Sequence, residues 1–247
     1  MSCAIIIRDY KLNDNHSVAE VVRSAYLSNV SKSWWNAVMR EITFQLIVMT
    51  AALLFIFVGI PFFYCILAIP LVLLLLYVII YSSFLIKATE LMHSKKPLHC
   101  WVAEACEPLL FLQQPERTRY RILSEHDANI EGFDKGNYKR KVIGTVAVGQ
   151  HSHLENSAWL FRLAVHPNYQ RKGIGHTLVQ TAKNWCREKT FDTVELAMSE
   201  CQDVARQLFV DTGFEMKQLY HKQLVGSAVT LLMYQLSSDL NNTKPNF

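Results

Sequence analysis

The sequence lacks any charged residue from Ile42 to Ile86, a run of 45 positions in a chain of 247. The other 202 residues carry all 25 basic and 21 acidic side chains, which is the charge density of an ordinary soluble domain. This distribution excludes a wholly disordered chain and a collagen-like chain. It also excludes a many-helix transporter, because only one stretch can enter a bilayer. The composition therefore predicts one soluble domain of moderate size that carries one membrane insert.

The sequence also has no C-x-x-C pair and no run of five basic residues. Its six cysteines are scattered without metal-ligand spacing, which indicates a reducing compartment, no disulfide framework and no metal site. The net charge of +4 is mild and gives no indication of a nucleic-acid partner. The apolar start from Cys3 to Ile7 is too short for a signal peptide and has no basic region before it.

The uncharged run has the length of two membrane helices, since a bilayer core about 30 Å thick needs about 20 apolar residues. Gly59 and Pro61 break it, so we expect one arm at Ile42–Ile60 and a second at Phe62–Ile86. Basic residues flank both ends and favour the cytoplasmic side of a membrane, which a hairpin satisfies and a single span does not. A re-entrant wedge is the alternative. A buried hairpin of a soluble protein is disfavoured because neither arm has a polar face.

Strand and helix patterns alternate outside the insert, and they predict an α/β fold of mixed sheet with helices on both faces. Residues 1–41 form the first part of this domain, 42–86 the insert, 87–236 the main part and 237–247 a polar tail. The segment from Glu107 to Arg140 shows little periodicity and reads as a solvated connection with a possible short helix. The elements used below are a helix at Ser17–Val30, a strand at Ala158–Val165 and a helix at Ile174–Lys189.

The chemistry of the chain is indicated by the turn that joins this strand to this helix. The strand ends in Val165-His166-Pro167, and the turn continues as Gln170-Arg171-Lys172-Gly173-Ile174-Gly175. A glycine-containing turn at a helix start presents main-chain N–H groups and the positive end of the helix dipole, which suits a pyrophosphate. Arg171 and Lys172 add positive charge at the rim. The pattern is neither a Walker loop nor a dinucleotide fingerprint.

The spacing Gln-x-x-Gly-x-Gly directly after Val-x-Pro resembles the acetyl-CoA signature of the GNAT superfamily of N-acetyltransferases. The later segment Ala205–Phe214, ending in Gly-Phe, is similar to a late helix of that superfamily. The resemblance covers residues 98–236 well and 1–41 loosely. Phe161-Arg162-Leu163 together with the hydrophobic insert resembles the camello-like membrane N-acetyltransferases. This implies acetyl-CoA as co-substrate, an amino-acid-type amine or a protein lysine as acceptor, and the endoplasmic reticulum with the catalytic domain on the cytoplasmic side.

The resemblance also implies direct attack of a neutral amine on the thioester. The strand at Leu163 to Val165 would splay from its neighbour, and the Val165 N–H would stabilise the oxyanion. The residues implied in cofactor binding are Leu163, Ala164, Val165, Gln170, Arg171, Lys172, Gly173, Ile174, Gly175, His176, Gln202 and Phe209.

Three departures from the family pattern leave the proton transfers open. Phe209 stands where many relatives have a tyrosine that protonates the thiolate, and Gln202 stands where an asparagine is frequent. Trp159 and Phe161 occupy positions where some relatives carry a base. The candidate bases that remain are His153, Glu155, His166 and Glu195. A catalytically inactive membrane adaptor that retained the acetyl-CoA-binding fold is the alternative to an enzyme.

Overall fold

A computed structural model of the chain describes residues 3–59, 61–93, 96–109, 114–130, 138–151, 154, 156–199, 203–225 and 229–240. The chain divides into two compact units. The first unit comprises Met1–Ala25 and Leu91–Phe247, and the second comprises Tyr26–Glu90.

The first unit is built on one mixed sheet of eight strands in the order β3-β1-β2-β4-β5-β6-β8-β7. The strands are β1 Ala4–Asp9, β2 His99–Pro108, β3 Arg121–Ser124, β4 Tyr138–Gln150, β5 Ser157–Val165, β6 Thr193–Ser199, β7 Glu215–Val225 and β8 Val229–Asp239. Helices cover both faces of this sheet, so the predicted fold class is confirmed. The central strands consist largely of buried apolar residues, because both of their faces are covered.

The sheet opens between β5 and β6. β5 pairs with β4 in antiparallel fashion as far as Val165, but its parallel pairing with β6 covers only three positions and ends at Trp159 opposite Glu195. Within the described residues, β5 therefore has no partner on its β6 side from residue 160 onward. The splay expected near Leu163 to Val165 is present.

The helices of the first unit are amphipathic where they cover the sheet. They are α1 Asn15–Leu27, α5 Glu125–Ile130, α6 Ile174–Glu188 and α7 Asp203–Asp211, of which α1 extends two residues into the second unit. α6 buries a stripe that includes Ile174, Leu178 and Ala182, and it packs against β2, β4 and β5. The helix predicted at Ile174–Lys189 is therefore present with nearly the same bounds.

The second unit consists mainly of helices α2 Val30–Val38, α3 Glu41–Val58 and α4, whose bounds are Ala68–His93. A 3-10 segment at Phe62–Leu67 precedes α4. The first predicted arm corresponds to α3, whereas the second begins later than predicted and runs past Ile86. Within the described residues, α4 is the one single helix long and apolar enough to cross a membrane.

Two further elements differ from the sequence prediction. The helix predicted at Ser17–Val30 ends at Leu27, and a separate helix, α2, follows. The segment Glu107–Arg140, expected to be a solvated connection, contains the edge strand β3 in parallel pairing with β1, the short helix α5 and the start of β4. At the other end of the domain, β8 continues through Ser237–Asp239, residues that the sequence analysis places in the polar tail.

Candidate active site

The turn between β5 and α6 presents a row of main-chain donors. After a 3-10 turn at Pro167–Tyr169, Gly173 adopts a left-handed conformation with φ of 79° and serves as the N-cap of α6. The first N–H bonded into the helix is that of Thr177, which donates to the Gly173 carbonyl at 3.0 Å. None of the N–H groups from Arg171 to His176 donates to an acceptor in the described part of the chain. Six consecutive N–H groups at a helix start are donors of the kind that can bind an anion.

The same end of β5 exposes main-chain groups on the side that faces β6. The His166 N–H donates to the Ile143 carbonyl of β4 at 2.7 Å, and main-chain groups alternate in direction along a strand. The Val165 N–H therefore points away from β4, into the gap. The Val165 carbonyl on that side accepts a hydrogen bond from Gln170 Nε2 at 3.2 Å. Gln170 thus satisfies a carbonyl that the missing strand pairing exposes.

Residues from the segment after β2 hold the turn in place. The hydroxyls of Tyr120 and Tyr169 both donate to Glu107 Oε1, at 2.7 and 2.8 Å. Burial, followed by this hydrogen bond to a carboxylate, raises the pKa of both tyrosines. Lys172 Nζ donates to the Thr118 carbonyl at 2.6 Å and to the Glu116 carbonyl at 3.0 Å. The Lys172 ammonium, expected at the rim of an anion site, is thus engaged with this supporting segment.

The two glycines of the turn are required for different reasons. A Cβ on Gly173 would meet only Ile122 Cδ1 at 3.8 Å, so its positive φ is the constraint. A Cβ on Gly175 would lie 3.2 Å from Leu208 Cδ2, so close packing against α7 is the constraint there. On the same helix, Phe209 is 5% exposed and packs edge-on against Phe214 with ring centroids 5.5 Å apart. The Phe209 ring is therefore a core side chain.

The other predicted cofactor residues occupy the two sides of this turn. Ala164 is buried, and Leu163 packs with Val165 against the core cluster beneath α6. Ile174 is buried in the same cluster, whereas His176 and Arg171 are exposed. Arg171 adopts a left-handed conformation with φ of 61°. Gln202 lies outside the described residues.

The four candidate bases are not brought together. His153 and Glu155 lie outside the described residues. His166 is half-buried, and its Nδ1 accepts a hydrogen bond from the Asn168 N–H at 3.4 Å. Burial and the nearby Lys141 charge lower the pKa of His166. Glu195 lies on β6, opposite Trp159, and is 1% exposed.

A cavity of about 380 Å³ lies in the first unit next to β5. Its lining includes Tyr10, Asn15, His93, Lys96, Cys100 and Arg162. Arg162 adopts φ of 55°, and its Nε and Nη2 donate to the carbonyls of Leu91 and Met92 at 3.0 and 2.5 Å. Sequence reasoning missed this role of Arg162, since no local pattern places its guanidinium beside a segment 70 residues earlier.

The chain is similar to proteins of one known family and to several solved structures. Residues 92–214, about half of the chain, match the model of the acetyltransferase (GNAT) family. No curated protein matches the chain. Among solved structures, a GNAT acetyltransferase from Staphylococcus aureus Mu50 is 13% identical with a TM-score of 0.48, and the match covers 96% of this chain and 99% of that one. The PaiA N-acetyltransferase of Thermoplasma acidophilum, solved with coenzyme A, is 16% identical over 96% and 99%, with a TM-score of 0.44.

A Bacillus anthracis acetyltransferase solved with acetyl coenzyme A is 16% identical with a TM-score of 0.40. That match covers 59% of this chain and 64% of the other, so this chain spans less than two thirds of that enzyme's length. The family match carries the assignment, and the left-handed Gly173, the row of N–H groups and the splay of β5 are consistent with it. The matched part of the chain, residues 92–214, belongs to the acetyltransferase (GNAT) family.

Proposed function

We propose that the chain is a membrane-anchored enzyme that transfers the acetyl group of acetyl-CoA directly to an amine, either of an amino-acid-type small molecule or of a protein lysine. The observation that carries this proposal is that one turn links two sets of free main-chain groups. The N–H groups from Arg171 to His176 can bind a diphosphate, and the open side of β5 at Val165 can hold a thioester.

Different residues of the chain bind the diphosphate and stabilise the developing negative charge. Gly173, Gly175 and His176 contribute N–H groups to the diphosphate, and Arg171 contributes positive charge. The Val165 N–H stabilises the negative charge that develops on the acetyl oxygen, and one such donor is typically worth about 3 kcal/mol. The new N–C bond forms as the C–S bond breaks. One proton of the attacking nitrogen ends on the departing thiolate, so the products are an amide and a free thiol.

The cavity next to β5 supports a small acceptor that carries a carboxylate. Arg162 and Lys96 place positive charge in its lining, and none of its described lining residues is an aspartate or glutamate. A carboxylate is attracted to such a cavity, whereas a lysine side chain of a protein gains nothing from it. We therefore favour an amino-acid-type acceptor over a protein lysine.

The exposed apolar surface of α3 and α4 supports the membrane anchor. Ile56 and Phe57 of α3 are 70% and 79% exposed, and Leu74 of α4 is 65% exposed. The hydroxyls of Ser82 and Ser83 donate to carbonyls of their own helix, at 2.8 and 2.7 Å, which suits a surrounding without water. With basic residues at both ends of the insert, we place the catalytic domain on the cytoplasmic face, at the endoplasmic reticulum.

The test is product formation by the full chain in lipid nanodiscs with acetyl-CoA and a panel of amino acids and lysine peptides. We expect thiol release and a mass increase of one acetyl group on an amino-acid-type amine. Gly175→Asp should abolish both, because it puts a negative charge against the diphosphate. Asn184→Asp adds the same charge at an exposed position near the other end of α6 and should leave both unchanged. Full activity of Gly175→Asp would refute the proposed site.

One observation favours a second candidate, a membrane adaptor without activity. Phe209 is a buried phenylalanine at a position where the family pattern often has a tyrosine, and it has no proton to give the thiolate. An adaptor would gain thermal stability from acetyl-CoA and form no product with any amine. Turnover with any amine in the panel excludes it.

A further inference from the structure

The setting of Glu195 suits a fixed carboxylate better than a proton acceptor. Lys217 Nζ lies 2.5 Å from Glu195 Oε1, and Gln235 Nε2 donates to Oε2 at 2.7 Å. Burial by itself raises the pKa of this carboxyl. The hydrogen bonds from Lys217 and Gln235, with the charges of Lys217 and His151, outweigh burial and lower it. Both oxygens are therefore engaged, and the group is ionised at neutral pH.

A histidine that the sequence analysis did not consider stands beside this carboxylate. His151 follows directly after β4, and its Nε2 lies 3.6 Å from Glu195 Oε2. The His151 side chain is 11% exposed, and its ring centroid is 5.3 Å from that of Trp159. Trp159 pairs with Glu195 at the last position before β5 and β6 separate. The imidazole therefore lies at the closed end of the gap.

The imidazole and the cavity share one side of the sheet. Trp159 and Phe161 belong to the cluster that contains Tyr10 and Cys100, and those two residues also line the cavity. The Arg162 guanidinium lies 5.1 Å from the Phe161 ring centroid. At about 3.3 Å per residue, Trp159 precedes the strand segment at Leu163 by about 13 Å. For His151 to act, an amine held in the cavity must lie between these two points, within reach of the imidazole directly or through water.

We propose that His151 is the general base of the transfer and that Glu195 is the residue that positions it. This inference rests on the proposed function. The substrate ammonium gives one proton to the His151 imidazole, and the neutral nitrogen then attacks the acetyl carbon. The second proton leaves with the CoA thiolate as a thiol, and the imidazolium returns its proton to water. Some relatives carry a base at the position of Trp159. In this chain, His151 next to Trp159 would take that role.

Two charged groups near the imidazole, among the residues that the structure describes, act on its proton affinity. Glu195 of β6 favours the imidazolium, and Lys217 of β7, which pairs with Glu195, opposes it. Removing either charge should therefore move the acidic limb of the kcat profile in a known direction. Loss of the Glu195 charge should move the limb to lower pH, and loss of the Lys217 charge should move it to higher pH.

The experiment measures kcat against pH for the full chain in nanodiscs, with acetyl-CoA affinity measured separately by calorimetry. We expect His151→Gln to lower kcat about 100-fold or more and to remove the acidic limb, with an unchanged Kd for acetyl-CoA. His126→Gln is the matched control, because the His126 side chain is 84% exposed on α5, and it should behave as wild type. A wild-type profile for His151→Gln would overturn the proposal.

Lys217→Met keeps the inference testable if His151→Gln does not fold, because the Lys217 side chain is 49% exposed and its replacement is mild. Its acidic limb should move to higher pH, whereas Glu195→Gln should move it to lower pH. Unmoved limbs in both variants would refute the role of His151. If wild type binds acetyl-CoA and acetylates no amine, the proposed function fails instead, so the two failures are distinguishable.

Discussion

Gly173→Ala tests whether the left-handed conformation of one glycine maintains the shape of the turn between β5 and α6, where we propose that acetyl-CoA binds. Gly173 has φ of 79°, and an added Cβ would meet nothing nearer than Ile122 Cδ1 at 3.8 Å. The cost is therefore conformational, about 1–2 kcal/mol for a residue with a Cβ in the left-handed region. If the turn relaxes when no ligand is bound, that cost weakens the Kd for acetyl-CoA by about 5- to 30-fold. If the turn keeps its conformation without ligand, the same cost lowers the Tm by several degrees.

Calorimetry with acetyl-CoA and a thermal melt of the same sample decide the point, since the cost must appear in one of the two measurements. Gly173→Asn should lose less affinity or Tm than Gly173→Ala, because asparagine tolerates the left-handed region. Gly175→Ala is the contrasting variant, because its added Cβ would lie 3.2 Å from Leu208 Cδ2. The second substitution Leu208→Val should therefore restore the acetyl-CoA affinity and the Tm of Gly175→Ala. The same second change should not restore Gly173→Ala. Wild-type affinity and wild-type Tm for Gly173→Ala would refute the reasoning.

Three further predictions concern the supports of the site and its membrane side. Lys172→Met should lower the Tm in melts without ligand, because Lys172 Nζ bonds to two carbonyls; an unchanged Tm with weaker acetyl-CoA binding would instead indicate direct contact with phosphate. Arg8→Met removes the buried guanidinium that Asp14 and Glu104 share, leaving Glu104 with Arg140 at 3.6 Å, and should cost about 3–5 kcal/mol of stability, seen as a large fall in Tm at pH 7. The hydrogen bond from Arg8 lowers the pKa of Asp14, so the stability that this pair contributes is fully present above the ordinary pKa of 3.8 and is lost as the pH falls below that value. The Tm of Arg8→Met should therefore not show this fall in acid. Asn29-Val30-Ser31 has the sequence of an N-glycosylation site and should stay without a glycan in microsomes. A mobility shift reversed by a glycosidase would contradict the proposed cytoplasmic orientation.

The parts of the structure that the sequence predicted well are those with local causes. The helix from Ile174 follows from its apolar stripe, and the turn before it follows from glycines and a helix start within ten residues. The edge strand β3 was missed because its four residues carry little pattern, and its partner β1 lies more than 110 residues earlier. The break between α1 and α2 has no glycine or proline to signal it.

The candidate site shows the same division between local and long-range information. The donors of the turn were predicted, whereas the partners of Lys172 and the place of His151 beside Glu195 depend on strands far apart in the chain. A lysine in a glycine-containing turn suggests that its ammonium binds an anion. Only the fold shows that the Lys172 ammonium donates to the carbonyls of residues 116 and 118 instead. His151 has no local motif, because its significance comes from strand pairing that places Glu195 opposite Trp159.

The splay of β5, on which the proposed chemistry depends, has a local cause within the strand. Between Phe161 and Ala164, Arg162 and Leu163 stand opposite the single residue Val146 of β4, which makes a β-bulge, and Arg162 adopts φ of 55° there. A bulge bends its strand and increases the local twist. The bend turns the end of β5 away from β6, which frees the Val165 N–H. A left-handed conformation at an arginine costs free energy, and the hydrogen bonds of the Arg162 guanidinium to two carbonyls offset that cost. Arg162, which opens the strand, is therefore held in place by the same contacts that let it line the cavity, and this couples the proposed oxyanion donor to the proposed acceptor site.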